Sequence, residues 1–453
     1  MTVAIHWFRQ DLRLSDNPAL FEASKTYNVL PVYILNDYES KNLGGASKWW
    51  LHHSLDDLNA RLNNRLLVLK GDPKALLKDL IQRFKVEKVF WNRCYEPHNL
   101  RYDEEILAGN IPSQIFNGSL LWEPQDVLKD DGTPYKVFTP FYRRGCLGSQ
   151  KIPRKPLSAP ELEIFNHQLP SHDLNLLPKV RWDKKLERHW TIGEESAKKR
   201  LNKFLQNNLS NYKLGRDFPA TNFVSRLSPH LHFGEISPNQ VWYSAIKGRD
   251  INEKNLDHFL SELGWREFSY SLLYHFPDLQ TKNLQQKFDA FPWDHRKDFL
   301  ERWRLGQTGY PIVDAGMREL WNTGYMHNRV RMIVGSFLVK NLLIHWHHGE
   351  QWFWNCLVDA DMANNSAGWQ WIAGCGADAA PYFRVFNPIT QAEKFDPDGI
   401  YIRKYIPEIS HLSNKEIFTP WIVRNKGNYP DPIVTIEESR KKALEAFEKI
   451  KKE

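Results

Sequence analysis

The sequence has few cysteines and no long apolar run. The four cysteines in 453 residues are Cys94, Cys146, Cys356 and Cys375. No two of them form a Cys-x-x-Cys pair, which argues against a disulfide framework and against a zinc site, so we expect no metal. The longest apolar run, residues 333–344, contains Lys340 and is too short to span a bilayer.

The amino terminus also lacks the apolar core of a signal peptide, because Arg9, Asp11 and Arg13 follow closely on the first apolar residues. These absences favour a cytoplasmic protein in a reducing compartment, with no membrane partner. A Gly-x-Gly-x-x-Gly motif is missing after the first predicted strand, so the usual dinucleotide fingerprint is absent.

Aromatic and basic residues, in contrast, are abundant. The chain contains 18 Trp, 17 Tyr and 25 Phe, which suits a large planar ligand or base stacking as well as the packing of helical cores. Its 61 Lys and Arg exceed its 54 Asp and Glu, and the net charge of +7 permits a polyanionic partner without requiring one.

Hydrophobic periodicity divides the chain into three parts. Over residues 1–125, strand patterns at 3–7, 29–34, 66–69, 86–91 and 114–121 alternate with helix patterns at 47–63 and 73–85. This alternation predicts an α/β domain with a doubly wound parallel sheet. Residues 126–193 are rich in proline with little periodicity, which indicates a long connector.

Helical periodicity dominates the rest of the chain. Helices are predicted at 195–208, 237–248, 253–274, 296–305, 312–323, 327–345 and 348–359, and a basic amphipathic helix at 436–452. We therefore expect a large all-α domain over residues 194–453.

One segment, residues 359–371, places two carboxylates, two amides and two indoles among apolar residues. Buried Asp and Asn side chains are costly without partners, so the segment predicts a polar ligand in a dry site. On a helix, Trp369 and Trp371 would point in roughly opposite directions, so that one of them could face the ligand.

Two other helices carry mixed polar and apolar faces. Asn328, Arg331 and Met332 share one face, from which Arg329 should project away. The alternative to a ligand-binding face is an interior helix whose Arg331 pairs with a carboxylate such as Asp359. A second face contains Glu262, Trp265, Arg266 and Ser269, where a carboxyl beside an indole could donate a hydrogen bond to a ligand. The alternative interpretation is an ordinary ion pair between Glu262 and Arg266 along the helix.

A loop that leads into a helix supplies hydroxyl groups and exposed amides. It contains Ser225 and Ser228 and follows Tyr212 and Arg216. Such a helix start can bind phosphate, although for this loop taken by itself a plain serine cap before Pro229 is the preferred interpretation.

Six motifs occur together in one order, namely Trp7–Arg13 with Asp16 and Asn17, Ser225–Pro229, Trp265–Phe268, Thr308–Met317, Met326–Met332 and Asp359–Trp371. With them the chain resembles the photolyase and cryptochrome family over roughly residues 1–425, and it looks most like class I cyclobutane pyrimidine dimer photolyases. The resemblance implies an antenna-chromophore domain, a connector and an all-α FAD-binding domain.

The resemblance also implies the contacts with FAD. The phosphates would be held by Tyr212, Val224, Ser225, Arg226, Leu227 and Ser228. The ribose and ring edge would be held by Asp359 and Asp361, with Arg331 as the partner of Asp359, and Asn365 would face flavin N5. Arg266 and Ala360 are further expected FAD contacts.

The substrate implied by the resemblance is damaged DNA, single-stranded or double-stranded, bound by a monomer near the nucleoid if the cell is bacterial. A flipped pyrimidine dimer would meet Trp265, Trp371, Met332, Glu262 and Asn328. The expected contacts with the DNA strand are Arg216, Arg266, Arg329, Arg384, Gln391 and Lys394.

Photochemistry is the activity that the resemblance implies. Light-excited reduced FAD would donate an electron to the dimer and recover it after ring opening. Trp369, Trp346 and Trp293 match the family's electron path from the surface to the flavin. A second antenna chromophore is expected, and the sequence does not distinguish a folate from a deazaflavin or a flavin.

Three rival functions stay open. Asn365 argues against a cryptochrome-type blue-light photoreceptor, since plant-type members usually carry Asp there and animal-type members Cys. Asn328 and Met332 stand where a photolyase for the (6-4) photoproduct needs histidines. The third rival is a light-independent flavoprotein that binds nucleic acid.

Overall fold

The structure, a computed structural model, describes residues 2–250, 253–379 and 383–451. The chain forms two compact units. Unit 1 consists of Met1–Ser210 and Ser225–Pro277, and unit 2 consists of Asn211–Val224 and Asp278–Glu453.

Unit 1 contains a five-stranded parallel sheet. Its strands are β1 (Val3–Phe8), β2 (Asn28–Leu35), β3 (Leu67–Lys70), β4 (Val86–Asn92) and β5 (Ser113–Phe116). The strands lie in the order β3-β2-β1-β4-β5, and every neighbouring pair is parallel, which confirms the doubly wound sheet. All six residues of β1 are buried, as expected for a strand covered on both faces.

The last strand is shorter than predicted. It ends at Phe116 rather than at Leu121 because Asn117 turns the chain. The Asn117 Oδ1 atom accepts the backbone N–H groups of Ser119 at 3.2 Å and Leu120 at 3.0 Å, and such a side-chain turn competes with strand pairing.

The helices account for most of the remaining regular structure. They are α1 (Pro18–Ser24), α2 (Asp37–Asn42), α3 (Gly45–Arg61), α4 (Pro73–Phe84), α5 (Pro97–Ala108), α6 (Phe138–Pro140), α7 (Glu194–Asn207), α8 (Tyr212–Gly215), α9 (Ser228–His232), α10 (Pro238–Ile246), α11 (Lys254–His275), α12 (Lys297–Arg304), α13 (Pro311–Thr323), α14 (Asn328–Ser336), α15 (Trp346–Cys356), α16 (Met362–Ala373), α17 (Pro388–Phe395), α18 (Ile400–Tyr405) and α19 (Ile436–Lys451).

Unit 1 includes α7, α9, α10 and α11 as well as the sheet. The domain boundaries expected at residues 125 and 193 stay a prediction. Of the predicted tail helix, Lys452 lies outside the described residues. No helix in the described part of the chain is both long and apolar enough to cross a membrane.

The helix predicted at 327–345 is wrong as a single element. Helix α14 ends at Ser336 and a π-helical turn follows over Phe337–Asn341. Leu343 then adopts a φ of 55°, a left-handed conformation that a right-handed helix cannot contain. The next helix therefore starts at Trp346, two residues before the predicted start.

The carboxyl ends of β1 and β4 carry a buried polar network. Arg9 donates to Asp103 at 2.8 Å, and Asn92 donates to Asp11 at 2.6 Å and to Asn17 at 2.7 Å. The strand order reverses at this point, where doubly wound sheets commonly bind ligands. Here these polar groups bond to one another, although the buried Arg9 Nε atom has no hydrogen-bond partner among the described residues.

Buried carboxylates attach two helices of unit 1 to the segments that follow β1 and β5. Glu194 on α7 accepts the backbone N–H groups of Leu14 at 2.7 Å and Ser15 at 3.2 Å. Glu267 on α11 accepts the N–H group of Leu121 at 2.8 Å. Both carboxylates are buried, so these bonds are shielded from water.

Candidate functional site

The predicted ion pair on α14 is present in the structure. Arg331 Nη2 lies 2.9 Å and 3.1 Å from the two carboxylate oxygens of Asp359, and Arg331 Nε donates to the Met326 carbonyl at 2.7 Å. Burial lowers the pKa of Arg331, but the charge and hydrogen bond of Asp359, together with Tyr325 and Glu319, outweigh it, so the net pKa is raised. The Asp359 carboxylate is therefore neutralised and oriented where it is buried.

Arg329 does not project away from the other polar residues of α14, so this expectation is wrong. Its Nη1 atom lies 3.8 Å from the Met332 sulfur, and its Nη2 atom donates to Asp217 at 2.7 Å. The guanidinium also lies 4.3 Å from the centre of the Phe395 ring. Asn328, at the start of the helix, is exposed.

Helix α16 carries most of the segment 359–371. Asp361 caps its amino terminus by accepting the Asn364 backbone N–H at 2.8 Å, and Ala360 is buried just before it. The two indoles have different surroundings. Trp369 is buried, whereas Trp371 is half-buried and donates to the Asp378 carbonyl at 3.0 Å.

One face of α16 is open. Gly368 is exposed, and a Cβ atom on it would meet no atom within 4 Å. Asn364, Asn365 and Trp371 lie three or four residues away along the helix and are half-buried. This face of small, amide and aromatic groups, which follows the Asp359 carboxylate paired with Arg331, suits a polar aromatic ligand such as a flavin.

Met332 and Trp371, which were predicted to contact the substrate, line one cavity of about 140 Å³. Lys340 and Phe383 lie in the same wall. Lys340 donates to the Arg384 carbonyl at 2.6 Å, and burial lowers its pKa to about 8. The structure therefore brings together residues that are far apart in the sequence.

In unit 1, the predicted face of α11 carries an aromatic stack. The Trp265 ring lies parallel to that of Phe138, with centroids 3.8 Å apart, so one face of the indole is covered. Arg266 donates to the Ser119 carbonyl at 2.8 Å, and Glu262 is half-buried one turn before it.

The predicted phosphate-binding residues lie in both units, and each group is described by itself. In unit 1, Arg226 adopts a φ of 52° and its guanidinium lies 4.7 Å from the Trp190 ring centre. Leu227 is buried, while Ser225 is half-buried and Ser228 exposed. In unit 2, Val224 is half-buried and Tyr212 is buried beneath the Arg216 guanidinium, which lies 5.4 Å from its ring centre.

Several predicted DNA contacts lie near Phe395 in unit 2. The Lys394 ammonium lies 5.2 Å from that ring, which Arg329 also contacts. Arg384 and Lys394 are exposed, and Gln391 is half-buried.

Comparison with known proteins gives a consistent result. Residues 4–161 match the family model described as DNA photolyase, and residues 259–449 match the FAD binding domain of DNA photolyase. A deoxyribodipyrimidine photo-lyase of Agrobacterium fabrum is 46% identical, covering 99% of this chain and 98% of that protein. The chain belongs to the DNA photolyase and cryptochrome family.

Other members of this family differ in their assigned class. Cryptochrome-2 of Arabidopsis thaliana is 36% identical, covering 98% of this chain and 78% of that protein. The crystal structure of a class III photolyase from Agrobacterium tumefaciens is 44% identical with a TM-score of 0.95, covering 100% of this chain and 98% of that one. An archaeal photolyase from Sulfolobus tokodaii, solved with two FAD molecules, is 31% identical with a TM-score of 0.82. The match covers 99% of this chain and 100% of that one. Similarity to class I in particular stays a prediction.

Glu350 on α15 contacts the predicted site residue Asn365, and the sequence analysis did not single it out. The Asn365 Nδ2 atom donates to the Glu350 carbonyl at 3.1 Å, and the Ser366 hydroxyl donates to the Glu350 carboxyl at 2.7 Å. Burial raises the pKa of Glu350 to about 7, and the Ser366 bond offsets only part of this. A signal was available, because Glu350 interrupts a helix that is otherwise rich in aromatic residues.

The three indoles of the predicted electron path all belong to unit 2. Trp346 is buried and donates to Asn283 Oδ1 at 2.8 Å, and Trp293 is half-buried. One turn after Trp346, a methyl group on Gly349 would overlap the Trp369 indole, so α15 passes directly against that ring.

Proposed function

We propose that this chain is a deoxyribodipyrimidine photo-lyase, a light-driven DNA repair enzyme that splits cyclobutane pyrimidine dimers. The observation that carries the proposal is the setting of Asn365. Its Nδ2 atom donates to the Glu350 carbonyl, which orients the amide and leaves the Oδ1 atom as its acceptor. An uncharged acceptor at this position suits a cofactor that must hold and release an electron.

FAD is the cofactor for which this site is suited. Reduced FAD, when bound, supplies one electron on excitation by light and takes it back after the dimer has opened, so no net oxidation occurs. Arg331 and Asp359 would orient its polar edge, and Asp361 and Ala360 would lie beside it at the start of α16. We propose that Tyr212, Arg266 and the loop from Val224 to Ser228 complete the contacts with FAD.

The lesion would be held by aromatic and polar groups. Trp265, whose other face rests on Phe138, and Trp371 would stack on a flipped dimer. Met332 would lie next to the bases. Glu262 and Asn328 would bond to their edges, so that Glu262 stabilises the charge that develops on the bases.

Basic residues would bind the DNA strand. Arg384 and Lys394 are exposed, and the Arg329 guanidinium is already positioned by Asp217 and Phe395. Together with Arg216 and Gln391, they would contact phosphates and make binding depend on salt.

Further properties follow from the same proposal. A second, light-harvesting chromophore would be bound, and mass spectra of released chromophores would distinguish a folate from a deazaflavin or a flavin. The protein would act as a monomer, which light scattering can test. Because its substrate is DNA, we place it in the cytoplasm, with the nucleoid if the cell is bacterial.

The decisive experiment compares light and darkness. The chemically reduced protein is incubated with an oligonucleotide that contains one thymine dimer, and restored thymines are measured after blue light and after an equal time in the dark. Repair in light alone is expected. Equal product in both conditions would refute the proposal.

Two controls separate this function from its rivals. Trp371→Ala should weaken binding of the damaged strand by about 1–3 kcal/mol, the usual value of one base stack, whereas Trp321→Ala at a half-exposed surface position should not. An oligonucleotide with a (6-4) photoproduct should stay unrepaired. Light-dependent reduction of flavin without repair of either lesion would favour a photoreceptor instead.

A further inference from the structure

His345 lies against both outer indoles of the proposed electron path. Its ring centroid is 4.9 Å from that of Trp293 and 5.6 Å from that of Trp346. The backbone fixes this arrangement, because the Asp294 N–H donates to the Leu343 carbonyl at 2.7 Å. That bond brings the segment that carries Trp293 beside the start of α15.

The helix start also fixes the protonation of this ring. His345 is the N-cap residue of α15, and its Nδ1 atom accepts the His347 backbone N–H at 3.2 Å. A nitrogen that accepts a hydrogen bond carries no proton, so the imidazole is neutral, with its proton on Nε2. Protonation of Nδ1 would break the cap.

The groups that face His345 favour the same neutral state. Its own helix contributes His347 and His348, and the opposite segments contribute His295 and Asp289. Burial and the neighbouring histidines lower the pKa of His345 to about 4, and Asp289 opposes this only in part.

Three uncharged groups consequently contact Trp346. The His347 and His345 ring centroids lie 3.9 Å and 5.6 Å from that of Trp346, and the two histidine rings also contact each other at 4.6 Å. Its indole N–H donates to the amide oxygen of Asn283, which is a poor base. A tryptophan that has lost an electron is positively charged, and a cation beside it would oppose that charge.

We propose that His345 is a positioning residue of the electron path, an uncharged ring that contacts Trp293 and Trp346 and lets each carry a positive charge in turn. The inference rests on the proposed function, since photoexcited oxidised flavin is the oxidant at the inner end. One electron passes from Trp346 to oxidised Trp369, and one then passes from Trp293 to Trp346. Trp293, which is half-buried, releases its N–H proton to water, and an external thiol reduces it.

The test introduces a charge at this position in the FAD-bound protein. His345→Lys introduces an ammonium group beside both indoles, whose centroids lie 4.9 and 5.6 Å from that of the native ring. Repulsion across this gap in a partly buried setting should reduce the flash-induced yield of long-lived tryptophan radicals by about tenfold at neutral pH. His345→Asn keeps an N-cap side chain without charge and should retain most of the yield.

A matched control uses the same helix. His348→Lys adds the same charge one turn further on, at a half-buried residue, and should change the yield much less. If His345→Lys proves unstable in thermal unfolding, the wild type supplies the test, because its radical yield should fall as the pH drops towards 4. In His345→Asn this fall should be smaller, because of the two histidine rings in contact with Trp346 only His347 can still be protonated.

The outcomes are distinct. Equal radical yields in His345→Lys and His345→Asn, or equal pH profiles in the wild type and His345→Asn, would overturn the inference. An absence of tryptophan radicals in the wild type would overturn it as well. Repair by the chemically reduced wild type tests the proposed function separately, because that reaction needs no electron from tryptophan.

Discussion

Replacing the buried carboxyl of Glu350 by an amide should change how stability depends on pH. Glu350 is only 4% exposed, and burial raises its pKa from 4.5 to about 7. The folded protein therefore holds this proton more tightly than the unfolded chain does. Well below pH 4.5 the Glu350 carboxyl is protonated in both the folded and the unfolded protein, so its burial does not lower the free energy of unfolding.

The loss of folding stability that Glu350 causes grows as the pH rises. Between pH 4.5 and about 7 the unfolded chain loses the proton first, so the free energy of unfolding falls, and above the folded pKa it levels off. A difference of about two and a half pKa units corresponds to a penalty of about 3 kcal/mol. Glu350→Gln removes the titration while its side-chain oxygen can still accept the Ser366 hydroxyl.

Chemical denaturation at pH 5, 7 and 8.5 measures this effect. The free energy of unfolding of Glu350→Gln, relative to the wild type, should rise by about 3 kcal/mol between the lowest and the highest pH. Glu445→Gln, at an exposed position on α19, should give a constant difference and serves as the control. Parallel pH profiles for Glu350→Gln and the wild type would refute the reasoning.

Three further predictions concern the site. Arg331→Met removes the guanidinium that pairs with the buried Asp359 carboxylate and should cost about 3–5 kcal/mol in unfolding free energy, with loss of FAD on gel filtration. An unchanged denaturation midpoint would contradict this prediction. Trp346→Phe should block photoreduction of oxidised flavin, which is measured by absorbance, while repair by chemically reduced enzyme continues. Loss of both reactions would contradict the role of Trp346 in the electron path. Arg384→Ala should make the plot of log affinity for DNA against log salt less steep, by about 0.9 in the magnitude of its slope. An unchanged slope would mean that Arg384 contacts no phosphate.

The fold was largely predictable because its signals are local. Alternating apolar runs indicated the strands of the parallel sheet, and helical spacing correctly separated the surroundings of Trp369 and Trp371. Predictions failed where one residue redirects the chain, as at Asn117, which ends the last strand early, and at Leu343, which separates α14 from α15.

The site was predictable only in part. The pairing of Arg331 with Asp359 was expected as an alternative, since both are charges that need a partner when buried. Glu350 and His345 escaped notice because their settings depend on tertiary packing: one supports Asn365 from a neighbouring helix, and the other contacts an indole more than 50 residues earlier in the chain.

The buried carboxylates Glu194 and Glu267 limit how this protein can be recombined with its relatives. Each belongs to a helix beyond residue 193 yet accepts backbone N–H groups from the first 125 residues. In a hybrid joined at residue 125 or 193, these two carboxylates would have to accept backbone N–H groups that come from a different protein. An exchangeable module should therefore comprise both segments of unit 1, so that donors and acceptors are inherited together.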